Sequence, residues 1–159
     1  PLHQAAHAGA STEIISRLIE LGAWRTLKNS RGERAVDVAE RNGHHHLQSV
    51  LTPVLRHQVP LGVLLKIEDN FHEIIRGRID RELPDHALRL PELEPLLELE
   101  RPQIWFPVPG MYGGFNYRLE STSVEAKLVV ESWCRVSGGS GQRHEITSEG
   151  SKLVAEGFV

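Results

Sequence analysis

The chain has 159 residues, of which 40% are hydrophobic and 25% are charged, and its formal net charge is −3 at pH 7. This composition is typical of one or two folded domains and excludes the disordered class. The acidic balance gives no electrostatic basis for nucleic-acid binding, and the apolar runs are far too short to cross a bilayer.

A helical pattern occurs twice in the first third of the chain. "PLHQAAHAG" (residues 1–9) aligns with "AVDVAERNG" (35–43), so that Gly9 falls on Gly43 at an offset of 34 residues. Each copy predicts a short helix that ends where a glycine adopts a left-handed cap. One extra residue in "GASTE" accounts for the difference from a period of 33.

A second helix is predicted after each glycine. In the first copy it begins at an N-cap, Ser11 or Thr12, and ends at Gly22. The apolar positions recur with helical spacing, which predicts one buried side in each copy. These positions are Ile14, Ile15, Leu18 and Ile19 in the first copy, and Leu47, Val50 and Leu51 in the second.

These motifs resemble the ankyrin repeat over residues 1 to about 52. The resemblance lies in the start Pro1-Leu2-His3, the hairpin entrance Gly22-Ala23 and the turn glycine Gly32. The chain departs from the family at Trp24, where an aspartate is usual, and at the starting tetrad Arg34-Ala35-Val36-Asp37. The resemblance implies stacked helical hairpins, in which the histidine matching His3 bonds to backbone near the turn.

Fewer than two repeats cannot bury the core of a solenoid. We therefore expect further repeats before Pro1, or a C-terminal half that covers the exposed end of the stack.

The resemblance also implies a partner-binding surface at the hairpin tip. Trp24, Arg25, Lys28 and Arg31 form a basic, aromatic tip that would suit an acidic or aromatic protein partner. The alternative is that Trp24 packs against a neighbouring repeat or the second domain.

Residues 53–60 are interpreted as a cap and linker, and residues 61–159 as an α+β module. A long helix is predicted from Leu61, because apolar and charged residues separate onto two sides. Its apolar side comprises Leu64, Ile67, Phe71, Ile74 and Leu83, with Ile75 and Ile79 alongside, and its charged side includes Glu68, Arg76 and Arg78. The four prolines of 83–102 allow only short helical turns there.

Strands are predicted from about residue 103 to the end as an antiparallel meander, which makes the fold class α+β. The strand segments are "QIWFPV", with Pro107 indicating an edge strand, then "FNYRLE", "AKLVVESWCRV", "QRHEIT" and "SKLVAEGFV". "PGMYGGF" (109–115) is interpreted as a turn. "GGSGQRHE" (138–145) lacks the lysine and the following helix of a phosphate-binding loop, so "SGGSGQ" (137–142) is interpreted as a hairpin turn.

The two-residue period of strands predicts one apolar sheet face and one polar face. The polar face carries Arg118, Glu131, Trp133 and Arg135, a candidate site for a carboxylate or phosphate. A second interpretation is that carboxylates such as Glu131 pair with arginines across strands, and that segment 83–102 covers Trp133.

No metal or cofactor is predicted. Three adjacent histidines, His44–His46, cannot all face one ion on a helix, and His3 and His7 lack further ligands nearby in the sequence. The single cysteine, Cys134, alternates to the apolar face, which disfavours a nucleophile. One cysteine is consistent with a reducing cytoplasmic location.

The leading functional hypothesis is a protein–protein interaction protein rather than an enzyme: an ankyrin-repeat scaffold fused to an α+β module. The alternative is that the module binds or acts on a small molecule across its polar face. A third hypothesis is that the module only ends the solenoid, so that cutting the chain near Pro53 would leave aggregating repeats.

Overall fold

The computed structural model describes residues 1–79, 88–121 and 125–158. The chain divides into two compact units, Pro1–Arg56 and His57–Val159. Within the described residues, no helix combines the length and hydropathy of a membrane span.

The N-terminal unit is helical. Its elements are α1 (Leu2–His7), α2 (Thr12–Glu20), α3 (Ala35–Arg41) and α4 (Gln48–Leu51), and a short 3-10 helix (His45–Leu47) leads into α4. Its buried core consists of Leu2, Ala6, Ile15, Ala35, Val38, Ala39, Leu47 and Leu51. Ile15 is buried, as predicted for the apolar side of α2. Ile14 was predicted on the same side, but it is 53% exposed because the buried residues of this helix centre on Ile15.

The predicted helix ends are confirmed at the glycines and at the N-cap of α2. Gly9 and Gly43 follow α1 and α3 with φ values of +62° and +76°. Ser11 caps α2, with its hydroxyl 3.5 Å from the amide of Ile14. Asp37 closes the first turn of α3 by accepting the Arg34 amide at 2.8 Å.

The C-terminal unit begins with α5 (Leu61–Ile79), followed by a 3-10 helix (Glu94–Glu98). The long helix predicted from Leu61 is confirmed, and Leu64, Ile67, Phe71 and Ile75 form its buried side. Predicted short turns are confirmed at residues 94–98. Leu83 and the rest of 80–87 lie outside the described residues.

Five strands follow, and they pair in chain order as one antiparallel meander. They are β1 (Gln103–Val108), β2 (Gly113–Ser121), β3 (Lys127–Cys134), β4 (Gly141–Thr147) and β5 (Gly150–Phe158). The α+β fold class is therefore confirmed. β1 is an edge strand, as Pro107 indicated. The predicted hairpin turn is confirmed too, since residues 135–140 connect the paired strands β3 and β4, and β4 begins at Gly141.

One face of the sheet packs against α5. Phe71 lies at the centre of this core, with its ring centroid 5.0 Å from that of Tyr117 and 6.1 Å from that of Phe115. Leu93, Leu96 and Leu97 join the same core. The described part of segment 83–102 therefore packs on the helix side of the sheet.

Candidate functional site

A polar cleft of about 280 Å³ opens in the N-terminal unit between α1, α3 and the turn at residues 29–33. His3 and His7 line it from α1, Arg41 from α3, and Arg31 and Glu33 from the turn. The cleft therefore gathers cationic, imidazole and carboxylate groups from segments that are distant in sequence.

The turn beside the cleft is held by its own hydrogen bonds. Asn29 Oδ1 accepts the amides of Arg31 and Glu33 at 2.8 and 3.0 Å, and Gly32 has a φ of +74°. His3 Nε2 donates to the Glu33 carbonyl oxygen at 3.0 Å. These bonds fix the turn against α1.

The charge of Glu33 is already matched within the cleft. Its carboxylate accepts hydrogen bonds from the Asn29 amide and from Arg41 Nε, each at 2.9 Å. These bonds hold the pKa of Glu33 below its ordinary value. Arg31, by contrast, is exposed and forms no side-chain ion pair with any residue in the described ranges.

The four predicted tip residues occupy different environments. Arg31 lines the cleft, whereas Trp24, Arg25 and Lys28 are half-buried and do not line it. Arg25 Nε donates to the Val50 carbonyl oxygen at 2.9 Å, which gives that side chain a structural contact. Arg31 is therefore the most exposed of the four tip residues.

The predicted polar face of the C-terminal sheet is only partly as expected. Arg118, Glu131 and Trp133 lie in β2 and β3, but β3 ends at Cys134, so Arg135 lies beyond the strand. The Ser140 hydroxyl accepts the Cys134 amide and donates to the Cys134 carbonyl, both at 2.9 Å. The alternation therefore stops there, and Val136 is 72% exposed.

Two tryptophans meet on this polar face. The ring centroids of Trp105 and Trp133 lie 5.0 Å apart, with 34° between the planes. Trp133 pairs in register with Gly114 of the intervening strand, which carries no side chain. Trp105 is 41% exposed. Trp133 is half-buried, and the described residues 88–102 pack on the opposite face.

Charges on the polar face are paired. The Arg143–Glu131 pair crosses strands, as the second interpretation of this face expected, and so does Lys127–Glu120, whereas Arg118 pairs with Glu120 within β2. Arg143 Nε donates to Glu131 at 2.8 Å, and Glu120 receives Arg118 at 2.9 Å and Lys127 at 3.2 Å. The bond from Lys127, followed by that from Arg118, lowers the pKa of Glu120. Both carboxylates therefore have cationic partners on this face.

A buried polar cluster lies on the other face, at the C-terminal end of α5. Arg78 Nε, Ser132 Oγ and His144 Nδ1 are buried and have no hydrogen-bond partner in the described part of the chain. An unpaired buried polar group costs about 1–3 kcal/mol, so three in one place require a physical reason. Burial, together with the charge of Arg78, lowers the pKa of His144.

The low pKa of His144 makes stability depend on pH. In the unfolded chain the pKa of His144 returns to its ordinary value near 6.5, so the unfolded chain binds a proton before the folded chain does as the pH falls. The free energy of unfolding therefore decreases as the pH drops below 6.5. We expect His144→Gln to reduce this loss, measured as the change in denaturant midpoint between about pH 7.5 and about pH 5.5. His45→Gln, at an exposed histidine, is the control. An unchanged pH dependence in His144→Gln would contradict the prediction.

Several of these residues were not identified from the sequence. Arg78 was assigned to the charged side of α5, yet it is half-buried, and its Nη2 donates to the Ser140 carbonyl oxygen at 2.6 Å. Trp105 and Arg143 follow the strand alternation, but only strand register places them beside Trp133 and Glu131.

The side chains of His44, His46 and Cys134 lie against backbone carbonyl oxygens. His44 Nε2 donates to the His7 carbonyl oxygen at 3.1 Å, and His46 Nε2 lies 3.4 Å from the carbonyl oxygen of Ala10. Cys134 is half-buried, with its thiol 2.8 Å from the Met111 carbonyl oxygen. These contacts give His44, His46 and Cys134 structural roles.

Comparison with known protein families, characterised proteins and solved structures found no match to this chain.

Proposed function

We propose that this chain is a protein–protein interaction protein whose N-terminal unit is an ankyrin-type repeat segment. Two helical pairs, each interrupted by a left-handed glycine 34 residues apart in sequence, support this proposal. The bond from His3 to the Glu33 carbonyl oxygen is the backbone contact that the resemblance implies for this histidine.

The cleft beside residues 29–33 is the observation that carries the proposal. Its turn is fixed by Asn29 and His3, so a partner would meet a preformed surface and lose less free energy in ordering it. Arg41 already pairs with Glu33, whereas Arg31 lines the same cleft and is exposed to solvent. Arginine suits carboxylates because its planar fork donates two parallel hydrogen bonds. The proposed partner presents an acidic segment to this cleft.

The test reverses the charge at the rim of the cleft. Peptides selected from a random display library against the full chain should be enriched in Asp and Glu. Arg31→Glu should weaken binding of the best peptide by about ten-fold or more, measured by fluorescence anisotropy, since it replaces attraction by repulsion.

Arg17→Glu is the matched control. Arg17 lies on α2, is 69% exposed and contacts Glu20, so it carries the same charge away from the cleft. This variant should bind within about two-fold of the natural chain. Equal losses in both variants, or selected peptides without acidic residues, would reject the acidic-partner proposal.

A further inference from the structure

The polar cluster under the end of α5 has no role in the proposed partner binding. Ser132 is completely buried, and its hydroxyl has no partner among residues 1–79, 88–121 and 125–158. The Arg78 Nε and His144 Nδ1 atoms are also buried and have no hydrogen-bond partner among these residues. Buried polar atoms without a protein partner are commonly satisfied by water or a ligand.

Strand register brings these groups together. Val130 pairs with His144, and Ser132 pairs with Gln142, so Ser132 and His144 are diagonal neighbours on adjacent strands. Ser132 follows Val130 by two positions and His144 precedes Ile146 by two, which puts both on the face covered by α5. Arg78 reaches the same place, because its Nη2 bonds to Ser140 between these strands.

The net charge of the cluster indicates which charge a ligand must carry. None of the carboxylates in the described ranges pairs with Arg78, and burial lowers the pKa of its guanidinium. His144 is kept neutral at pH 7, because burial and Arg78 lower its pKa. The cluster therefore offers one positive charge with two neutral hydrogen-bonding groups. A group with a single negative charge and two acceptor oxygens complements it.

We propose that Arg78, Ser132 and His144 bind the carboxylate of a small organic acid. Arg78 Nε–H and the Ser132 hydroxyl donate to its oxygens, and His144 Nδ1–H donates as well when that nitrogen carries the proton. Arg78 and His144 are partly exposed whereas Ser132 is not, so the carboxylate enters between the first two side chains. This site lies on the opposite sheet face from the Trp105–Trp133 pair.

The experiment titrates the full chain with acetate, and separately with inorganic phosphate, at constant ionic strength and pH 7. NMR signals of Arg78 Nε–H and the His144 ring should shift saturably with acetate. Phosphate, which is partly dianionic at this pH, should bind about ten-fold more weakly, because its second negative charge would be desolvated without a second cation to pair with it. Shifts that never saturate, or tighter binding of phosphate, would overturn the proposal.

Two variants separate a binding role from a structural one. Arg78→Lys keeps the charge but loses the fork, and should weaken acetate binding by about ten-fold. Ser132→Ala should weaken acetate binding while leaving the ligand-free chain as stable as before or more so, because it removes an unpaired buried hydroxyl. If Ser132→Ala binds acetate normally, the assignment of Ser132 is wrong.

Arg76→Lys is the matched control for Arg78→Lys. Arg76 is exposed on the same helix, where it pairs with Glu73 at 2.7 Å. Acetate binding by this variant should stay within about two-fold of that of the natural chain. An equal loss in Arg76→Lys and Arg78→Lys would show a general charge effect and overturn the proposal.

Discussion

Phe71→Ala will destabilise the C-terminal unit by about 3–5 kcal/mol. Phe71 is completely buried, and its ring lies against those of Phe115 and Tyr117 at the centre of the helix–sheet core. Removing the ring leaves a cavity between α5 and β2, and it abolishes contacts that hold the helix on the sheet. A domain of this size has a free energy of unfolding of about 5–15 kcal/mol, so much of it would be lost.

Amide hydrogen exchange, followed by NMR, measures this loss of unfolding free energy in the C-terminal unit. The slowest amides of β2 and β3 should exchange faster by the factor that corresponds to the lost stability. Leu65→Ala is the matched control, since Leu65 lies on the same helix and is 42% exposed. Its effect should stay below about 1 kcal/mol. Similar exchange in the two variants would show that Phe71 is not the centre of the core.

Gly114→Ala will disrupt the pairing of β1 with β2 and cost about 3 kcal/mol. A Cβ atom at Gly114 would overlap the Phe106 carbonyl oxygen of the neighbouring strand. A Cβ atom at Gly113 would likewise overlap the Trp133 carbonyl oxygen of β3, the neighbouring strand on the other side. Because the obstacle is backbone rather than a flexible side chain, the strands must separate to admit the methyl group.

Gly138→Ala makes the same chemical change where there is room for it. Gly138 lies in the turn after β3, and no atom lies within 4 Å of the position that its Cβ would take. Its denaturant midpoint should match that of the natural chain, whereas that of Gly114→Ala should fall clearly. The overlap argument fails if Gly114→Ala unfolds at the same denaturant concentration as Gly138→Ala.

Gly113 and Gly114 also show where a local pattern misleads. The turn expected at "PGMYGGF" (109–115) is present at residues 109–112, but β2 already begins at Gly113, so the paired glycines lie in a strand. The glycines are needed for the close approach of neighbouring strands, and that requirement comes from residues remote in sequence. No local signal distinguishes the two uses of glycine.

The extent of β3 is a second example. Alternation continues through Arg135 and Val136, but the Ser140 hydroxyl takes over the backbone hydrogen bonds of Cys134 and ends the strand. Arg135 therefore does not share the candidate face with Arg118, Glu131 and Trp133. The neighbours of the other three also differ from expectation, since Trp105 and Arg143 come from adjacent strands.

The sequence alone determined the helix starts and ends in the N-terminal unit, the long helix α5 and the succession of strands. These features depend on caps, glycines and apolar periodicity, which act over a few residues. Only the tertiary structure decided which polar groups meet. The cleft joins His3 to a carbonyl 30 residues away, and Arg78 bonds to one 62 residues away. Such contacts depend on register and on helix placement, which are set by packing the whole core.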